Sequence, residues 1–98
     1  MHARVGMYAG AADDLDVAAQ NFERDSDAVA ALDGFEGAFL LIDHANGRAM
    51  TITLWSNEDA VAASAERADQ IRAQATGPAG VAIESVEVYE VAVQLGPR

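Results

Sequence analysis

The sequence contains no cysteine and no lysine, and both absences narrow the possible functions. Without cysteine there is no disulfide, no thiolate nucleophile and no cysteine-ligated zinc or iron–sulfur cluster. Its six basic residues are all arginine and stand against 16 acidic residues, so the formal net charge is −10. No basic patch offsets the repulsion from a phosphate backbone, which excludes nucleic-acid binding as the main task. The same charge argues against an anionic membrane surface.

Sequence motifs for metal binding, phosphate binding and covalent catalysis are missing as well. His2 and His44 lie in separate segments without metal-ligand spacing. No nucleophile elbow, phosphate-binding loop or dinucleotide-binding glycine pattern occurs. The longest strongly apolar run, residues 38–42, is far too short to span a bilayer, and the first ten residues hold no apolar signal-peptide core. We therefore expect a cytoplasmic protein. We also expect a single domain over residues 1–98, because 98 residues provide one hydrophobic core.

The hydrophobic pattern predicts four strands, at residues 3–9, 35–43, 48–56 and 82–94. Asn46-Gly47 predicts a tight hairpin turn between the middle two strands, because this pair accepts positive φ at low cost. One helix is predicted between the first and second strands and another between the third and fourth. This order is that of an α+β, ferredoxin-like βαββαβ fold. Right-handed crossovers then place two helices on one face of a four-stranded antiparallel sheet.

Helix boundaries are predicted from capping residues. Asp13 or Asp14 is the expected N-cap of the first helix. An interruption is expected near Ser26, which could cap a second short helix. Ser56 is the expected N-cap of the helix that follows the hairpin and runs to about residue 75.

The central strands are apolar on both faces, although two helices cover one face. Phe39 and Leu41 point to one side of the sheet, and Leu40 and Ile42 point to the other. Because a two-sided apolar sheet must be buried on both sides, we expect a homodimer formed through facing sheets.

Residues 33–64, DGFEGAFLLIDHANGRAMTITLWSNEDAVAAS, carry the most specific signal. A Gly-Phe entry, a hairpin ending in Asn46-Gly47-Arg48, and Leu54-Trp55-Ser56 before an acidic helix start resemble the antibiotic biosynthesis monooxygenase-like family of dimeric α/β-barrel proteins. The closing strand at residues 84–93 is similar too. This resemblance implies a pocket in each protomer between the helices and the sheet. It also implies that the chain needs no cofactor, since members oxidise electron-rich aromatic polyketides or quinol-type substrates with O2 and without metal or flavin.

Four strand residues are candidates for binding the substrate. Trp55 ends a strand just before a helix, where the family often keeps a pocket-lining tryptophan with a large flat surface and one N–H donor. The alternative is that Trp55 fills the core. Thr51 and Thr53 share its face by strand alternation and could line the pocket with hydroxyls, or they could simply favour a strand. The Tyr8 hydroxyl could bond a ligand, or the ring could serve packing.

The helix after the hairpin carries two arginines, Arg67 and Arg72. We take Arg72 as the candidate that stabilises a phenolate, since a guanidinium stays charged at any relevant pH. The alternative is a solvated surface charge that pairs with Glu66 or Asp69.

The resemblance does not extend to haem chemistry. Haem-degrading members combine an asparagine on the first strand, the tryptophan and an iron-ligating histidine on the second helix. Here the first strand has no asparagine, and the second helix has no histidine, with Ala65 ten residues past Trp55. Haem-degrading activity is therefore not expected.

Two functions remain open from the sequence. One is a cofactor-independent monooxygenase that acts on an aromatic polyketide or quinol-type substrate. The other is a catalytically silent dimer that binds a small ligand or serves in a stress response. The polyketide oxygenases have an asparagine where this chain has Thr51, which favours the silent alternative. A cavity of some hundreds of Å3 lined by the candidate residues would favour the enzyme.

Overall fold

The computed structural model describes residues 1–96, which form four strands and three helices. The elements are β1 (His2–Ala9), α1 (Ala12–Arg24), α2 (Ser26–Ala30), β2 (Phe35–Asp43), β3 (Arg48–Trp55), α3 (Glu58–Thr76) and β4 (Ala82–Glu90). All strand pairs are antiparallel, in the order β2-β3-β1-β4. The α+β, ferredoxin-like arrangement predicted from the sequence is confirmed, with the first helical segment divided into α1 and α2.

The register of the central strands decides which side chains lie under the helices. β1 pairs Arg4 with Thr53 and Gly6 with Thr51 in β3. Directly opposed residues project from the same face of a sheet. Tyr8 follows on that face, and it is buried against α1, where its ring meets that of Phe22 edge to face at 5.8 Å.

The packed core occupies the part of this face next to the hairpin turn. Its buried members come from β1, α1, β3 and the segment before β4, namely Tyr8, Leu15, Ala18, Ala49, Ala79 and Val81. The turn itself is tied to the start of α1, because the Gly10 N–H donates to the Gly47 carbonyl at 3.0 Å. Gly47 has a φ of 62°, as the Asn-Gly pattern predicts, but Asn46 does not take a positive φ. Asp43 pairs with Arg48, so the loop spans the four residues 44–47 rather than the Asn-Gly pair alone.

The cap predicted for α1 is wrong. The N-cap is Ala11, without a side-chain hydrogen bond, and Asp13 and Asp14 lie in the first turn. The hydrogen bond between Gly10 and the hairpin turn fixes the end of β1, and α1 begins two residues later, at Ala12, ahead of both aspartates. The two carboxylates still lie at the positive end of the helix dipole.

The other two predicted caps are also wrong. α2 begins at Ser26 itself, so this serine is its first residue rather than its cap. α3 is capped by Asn57, whose side-chain oxygen accepts from the Ala60 N–H at 2.8 Å. Ser56 cannot serve because its N–H still donates to the Gly34 carbonyl at 2.8 Å, so the chain turns one residue later.

β4 ends at Glu90 rather than near residue 94. The register opposes His2 to Glu90, and the Val91 N–H makes the last bond, to the Met1 carbonyl at 2.9 Å. Residues 92–94 therefore lie beyond the start of β1, where no residue of β1 is opposite them to continue the strand pairing.

The face of the sheet opposite the helices carries exposed apolar side chains. Phe39 and Leu41 of β2 are 61% and 49% exposed, and Tyr89 of β4 is 52% exposed. The two-sided apolar character expected from the sequence is present. No helix among residues 1–96 is long and apolar enough to cross a membrane.

We expect Asn57→Ala to lower the free energy of unfolding by about 1 kcal/mol, because the Ala60 N–H loses its acceptor at the start of α3. Ser56→Ala is the matched control and should change stability by less than about 0.5 kcal/mol, since Ser56 is exposed and does not cap the helix. Urea denaturation followed by circular dichroism measures both. A larger loss for Ser56→Ala than for Asn57→Ala would contradict the assigned cap.

Candidate ligand-binding site

A cavity of about 340 Å3 lies between the helices and the face of the sheet that they cover. Most of its wall is apolar and comes from α1, α2, the following loop, β2 and α3, namely Ala19, Phe22, Val29, Leu32, Phe35, Leu40, Ala68 and Ile71. Sites for small molecules generally measure roughly 300–1,000 Å3 and combine such a wall with a few polar groups. The cavity therefore has the size and lining of a site for one small, apolar molecule.

The five residues singled out from the sequence all lie at the wall of this cavity. Tyr8 comes from β1, Thr51, Thr53 and Trp55 from β3, and Arg72 from α3. Strand alternation explains the β3 group, because residues 51, 53 and 55 point to the same face. Their assignment as ligand-binding residues remains a prediction.

Trp55 is part of the core and of the cavity wall at once. It is completely buried, and its ring packs edge to face on Phe35 with 5.7 Å between the ring centres. The indole N–H donates to the Thr53 hydroxyl oxygen at 2.9 Å. The expected N–H donor for a ligand is therefore already used within the protein, while the hydrogen of the Thr53 hydroxyl is left to donate.

Tyr8 and Thr51 form a hydroxyl pair at the wall, with 2.8 Å between their oxygens. Either oxygen can be the donor, so the second hydroxyl hydrogen remains available for a ligand oxygen. Gly6 makes this pair possible. A Cβ at position 6 would clash with the Tyr8 hydroxyl oxygen and would lie 2.7 Å from that of Thr51.

Arg4 is the wall residue that the sequence reasoning missed. It is 5% exposed, and its Nη2 donates to the Val61 carbonyl at 2.7 Å and to the Ser64 hydroxyl at 3.2 Å, which ties β1 to α3. Its guanidinium carbon lies 5.4 Å from the centre of the Trp55 ring. The sequence did contain a signal for this position. Alternate residues of a strand point to the same face, so Arg4 lies on the face of β1 that carries Tyr8 and that the helices cover.

The two arginines of the wall differ in their pairing. Arg72 is buried, and its Nη1 donates to the Asp69 carboxylate at 2.7 Å, so it keeps the expected partner but is not a solvated surface charge. Burial is the main cause that lowers the pKa of Arg4, and the charge of Arg72 lowers it further, while Asp69 acts in the opposite direction. Arg67 is exposed and pairs with Gln70.

The cavity wall does not fit haem. Protein ligands to haem iron are histidine, cysteine, methionine or tyrosine. The described wall holds no histidine, cysteine or methionine, and Tyr8 is bonded to Thr51. His44 lies at the surface, where it contacts the Asp16 carboxylate at 2.7 Å. The described residues also include no group of three or more side chains suited to a metal ion.

Comparison with known proteins identifies the fold. No family model and no curated protein matches the sequence. A Deinococcus radiodurans protein classed as an antibiotic biosynthesis monooxygenase superposes with a TM-score of 0.74 at 17% identity, covering 100% of this chain and 99% of that chain. MhuD, a heme-degrader from Mycobacterium tuberculosis solved with two hemes in its active site, gives 0.77 at 21% identity, with 98% and 100% covered.

SnoaB, a cofactor-independent oxygenase from Streptomyces nogalater, gives a TM-score of 0.66 at 20% identity, covering 99% of this chain and 97% of that chain. All three superpose over nearly their whole length, so the likeness extends to the complete domain and not to one motif. The resemblance drawn from residues 33–64 is thus confirmed at the level of structure: the chain has the antibiotic biosynthesis monooxygenase-like fold.

Proposed function

We propose that this protein is a dimer that binds a small, planar, oxygen-bearing aromatic molecule and oxidises it with O2, without a metal or flavin. The observation that carries the proposal is the cavity of about 340 Å3 beneath the helices, with aromatic walls and hydroxyls on one side. The substrate class is that of quinol-type compounds and aromatic polyketides. SnoaB, which has the same fold, is a cofactor-independent oxygenase.

The wall provides both shape and polarity for such a molecule. Phe22, Phe35 and Trp55 offer flat apolar surfaces, and edge or offset contacts between aromatic rings are favourable. The Tyr8–Thr51 pair and Thr53 each retain a hydroxyl hydrogen that can be donated to a phenol or carbonyl oxygen of the ligand.

The chemistry requires an ionised substrate. A phenolate or enolate transfers one electron to O2, and the resulting radical pair combines to form a carbon–peroxide bond. Cleavage of the O–O bond with loss of the proton on that carbon gives a carbonyl group and hydroxide, which is protonated to water. One O2 thus converts a CH2 group to C=O plus H2O. The protein binds the anion, stabilises its charge and excludes water.

A ligand-binding dimer without turnover is the second candidate, and the lack of a base favours it. The one carboxylate among the described wall residues is Glu23, which is exposed, and no histidine lies there. The hydroxyls of Tyr8 and Thr51 are hydrogen-bonded to each other at 2.8 Å and serve as donors and acceptors rather than as bases. The enzyme would therefore act on substrates that ionise without help.

Dimer formation is proposed from the exposed apolar face of the sheet. Phe39 and Leu41 of β2 and Tyr89 of β4 are exposed on this face at the two edges of the sheet. Ile52 and Val5 lie between the edges, paired side by side on β3 and β1, and are half-buried. Isolated monomers rarely expose a large apolar face of this kind. A second copy that presents the same face buries both patches at once, as the symmetry of a two-fold dimer requires.

We expect metal-free protein to consume O2 with anthrones and hydroquinones and to keep this activity in the presence of a chelator. Trp55→Phe should lower kcat/KM about tenfold or more, because the wall is reshaped and the Thr53 hydroxyl loses its donor. An oxygen electrode measures the rate. Val17→Ala, at an exposed position of α1 away from the cavity, should leave the rate unchanged.

The pH dependence of the same reaction separates the two candidates further. Because the described wall supplies no buried base, kcat/KM should rise with pH through the pKa of the substrate in solution and shift when a more acidic substrate is used. Uptake no higher than that of boiled protein across the panel, together with measurable binding, would favour the ligand-binding dimer. Loss of activity on chelation would contradict the cofactor-free reaction.

For the dimer, we expect Leu41→Glu to convert the protein from dimer to monomer in sedimentation velocity at micromolar concentration, because a charge is placed in the buried face. Val17→Glu introduces the same charge at a comparably exposed apolar position on α1 and should leave the dimer intact. A wild-type protein that sediments as a monomer would refute the dimer.

A further inference from the structure

We propose that Arg4 is the anion-binding group of the cavity and that the natural ligand carries a planar oxyanion, a carboxylate or an ionised phenol or enol, which contacts its Nη1. The inference rests on the proposed ligand cavity but not on turnover. It names the chemical class of the ligand and a specificity-determining residue on β1.

The first observation is that Arg4 is buried with unused donors. It is 95% buried, and both hydrogens of Nη2 are accounted for by Val61 and Ser64 of α3. Nη1 is buried and has no acceptor among the described residues, although it carries two N–H groups. A buried charged donor without an acceptor is costly, and an anionic ligand in the cavity that Arg4 lines would supply the acceptor.

The second observation is the imbalance of charge around Arg4. The charges that act on its pKa are those of Arg72 and Asp69. Asp69 is largely exposed and already accepts a hydrogen bond from Arg72, so two buried guanidinium groups share one solvated carboxylate. Glu23, the remaining charged residue of the wall, is exposed. The buried part of the wall is thus positive within a chain whose net charge is −10.

The third observation concerns geometry. Val61 and Ser64 hold one edge of the guanidinium, and the face of Trp55 lies 5.4 Å from its carbon, so the group has little freedom to reorient. A fixed, planar donor suits a planar oxyanion better than a flexible ammonium would. The apolar side chains elsewhere in the wall, such as Phe22 and Phe35, select a ligand whose remaining body is flat and hydrophobic.

Arg72 is the less suitable anion partner of the two. Its Nη1 is bonded to Asp69 at 2.7 Å, so a ligand anion would have to displace or share that carboxylate. The sequence pointed to Arg72, and the structure assigns the free donors to Arg4.

The test uses a matched pair of probes, 2-naphthoate and the neutral 2-naphthamide, titrated into wild-type protein by isothermal titration calorimetry at about 0.15 M salt. The two probes share one ring system and differ in charge. We expect naphthoate to bind about tenfold or more tightly than naphthamide, because the anion gains a charge-assisted hydrogen bond. Quenching of Trp55, the single tryptophan of the chain, should accompany binding and locates both probes at the cavity.

Arg4→Met should reduce the naphthoate preference to near unity while naphthamide still binds, and Arg4→Lys should restore part of it. Arg72→Met should keep a clear preference for naphthoate. Because Arg4→Met also removes the hydrogen bonds to α3, the folding of this variant is checked by circular dichroism. If the variant does not fold, the difference between the affinities of the wild-type protein for naphthoate and naphthamide tests the proposal.

Equal affinity of the wild-type protein for both probes would overturn the role of Arg4 and leave the ligand cavity standing. Failure of both probes to bind would overturn the inference and the proposed cavity function together. A naphthoate preference without O2 uptake would support the anion site and count against the oxygenase. A preference that persists in Arg4→Met and disappears in Arg72→Met would assign the anion to Arg72 instead.

Discussion

The pairing of β1 with β3 is the constraint on which the cavity depends. It places Arg4 beside Thr53 and Gly6 beside Thr51, all on the face that the helices cover. A slip of one residue would turn this set to the open face and bring Val5 and its neighbours inward. The apolar core next to the hairpin turn resists such a slip, because Tyr8 and Ala49 are buried there. The packed end of the sheet therefore holds the polar groups of the cavity in place.

A buried guanidinium is an unusual component of so small and acidic a domain, and its surroundings account for it. Removing a charge from water is costly unless hydrogen bonds and nearby polarisable groups replace the hydration. The Val61 carbonyl, the Ser64 hydroxyl and the ring of Trp55 provide part of that replacement. The acidic residues lie mainly on the surface, where salt screens them within about 8 Å at physiological ionic strength. Recognition within the cavity is consequently a short-range matter of contacts rather than of long-range attraction.

The small residues of α3 serve two different purposes along one helix. Ala75 is completely buried and allows close packing near the end of the helix. Ala68, two turns earlier, borders the cavity and leaves space beside Ile71. Alanine spacing alone permits either outcome, because a short side chain allows close approach and also leaves a gap when nothing approaches. The difference arises from the opposing elements, since the Asn21 amide of α1 donates to the Ala75 carbonyl at 3.1 Å.

Period-two alternation, the Asn46-Gly47 turn and the helical spacing of apolar residues determined the strands, the hairpin and the order of the fold, because these are local properties of the chain. Alternation also brought Thr51, Thr53 and Trp55 to one face. The tertiary structure decided what depends on distant partners. Ser56 is not a cap because Gly34 holds its N–H, and the Trp55 N–H is taken by Thr53. Arg4 lies under α3 because a carbonyl and a hydroxyl some 60 residues away accept its hydrogen bonds. No local pattern encodes such a contact, since it forms when β1 and α3 pack.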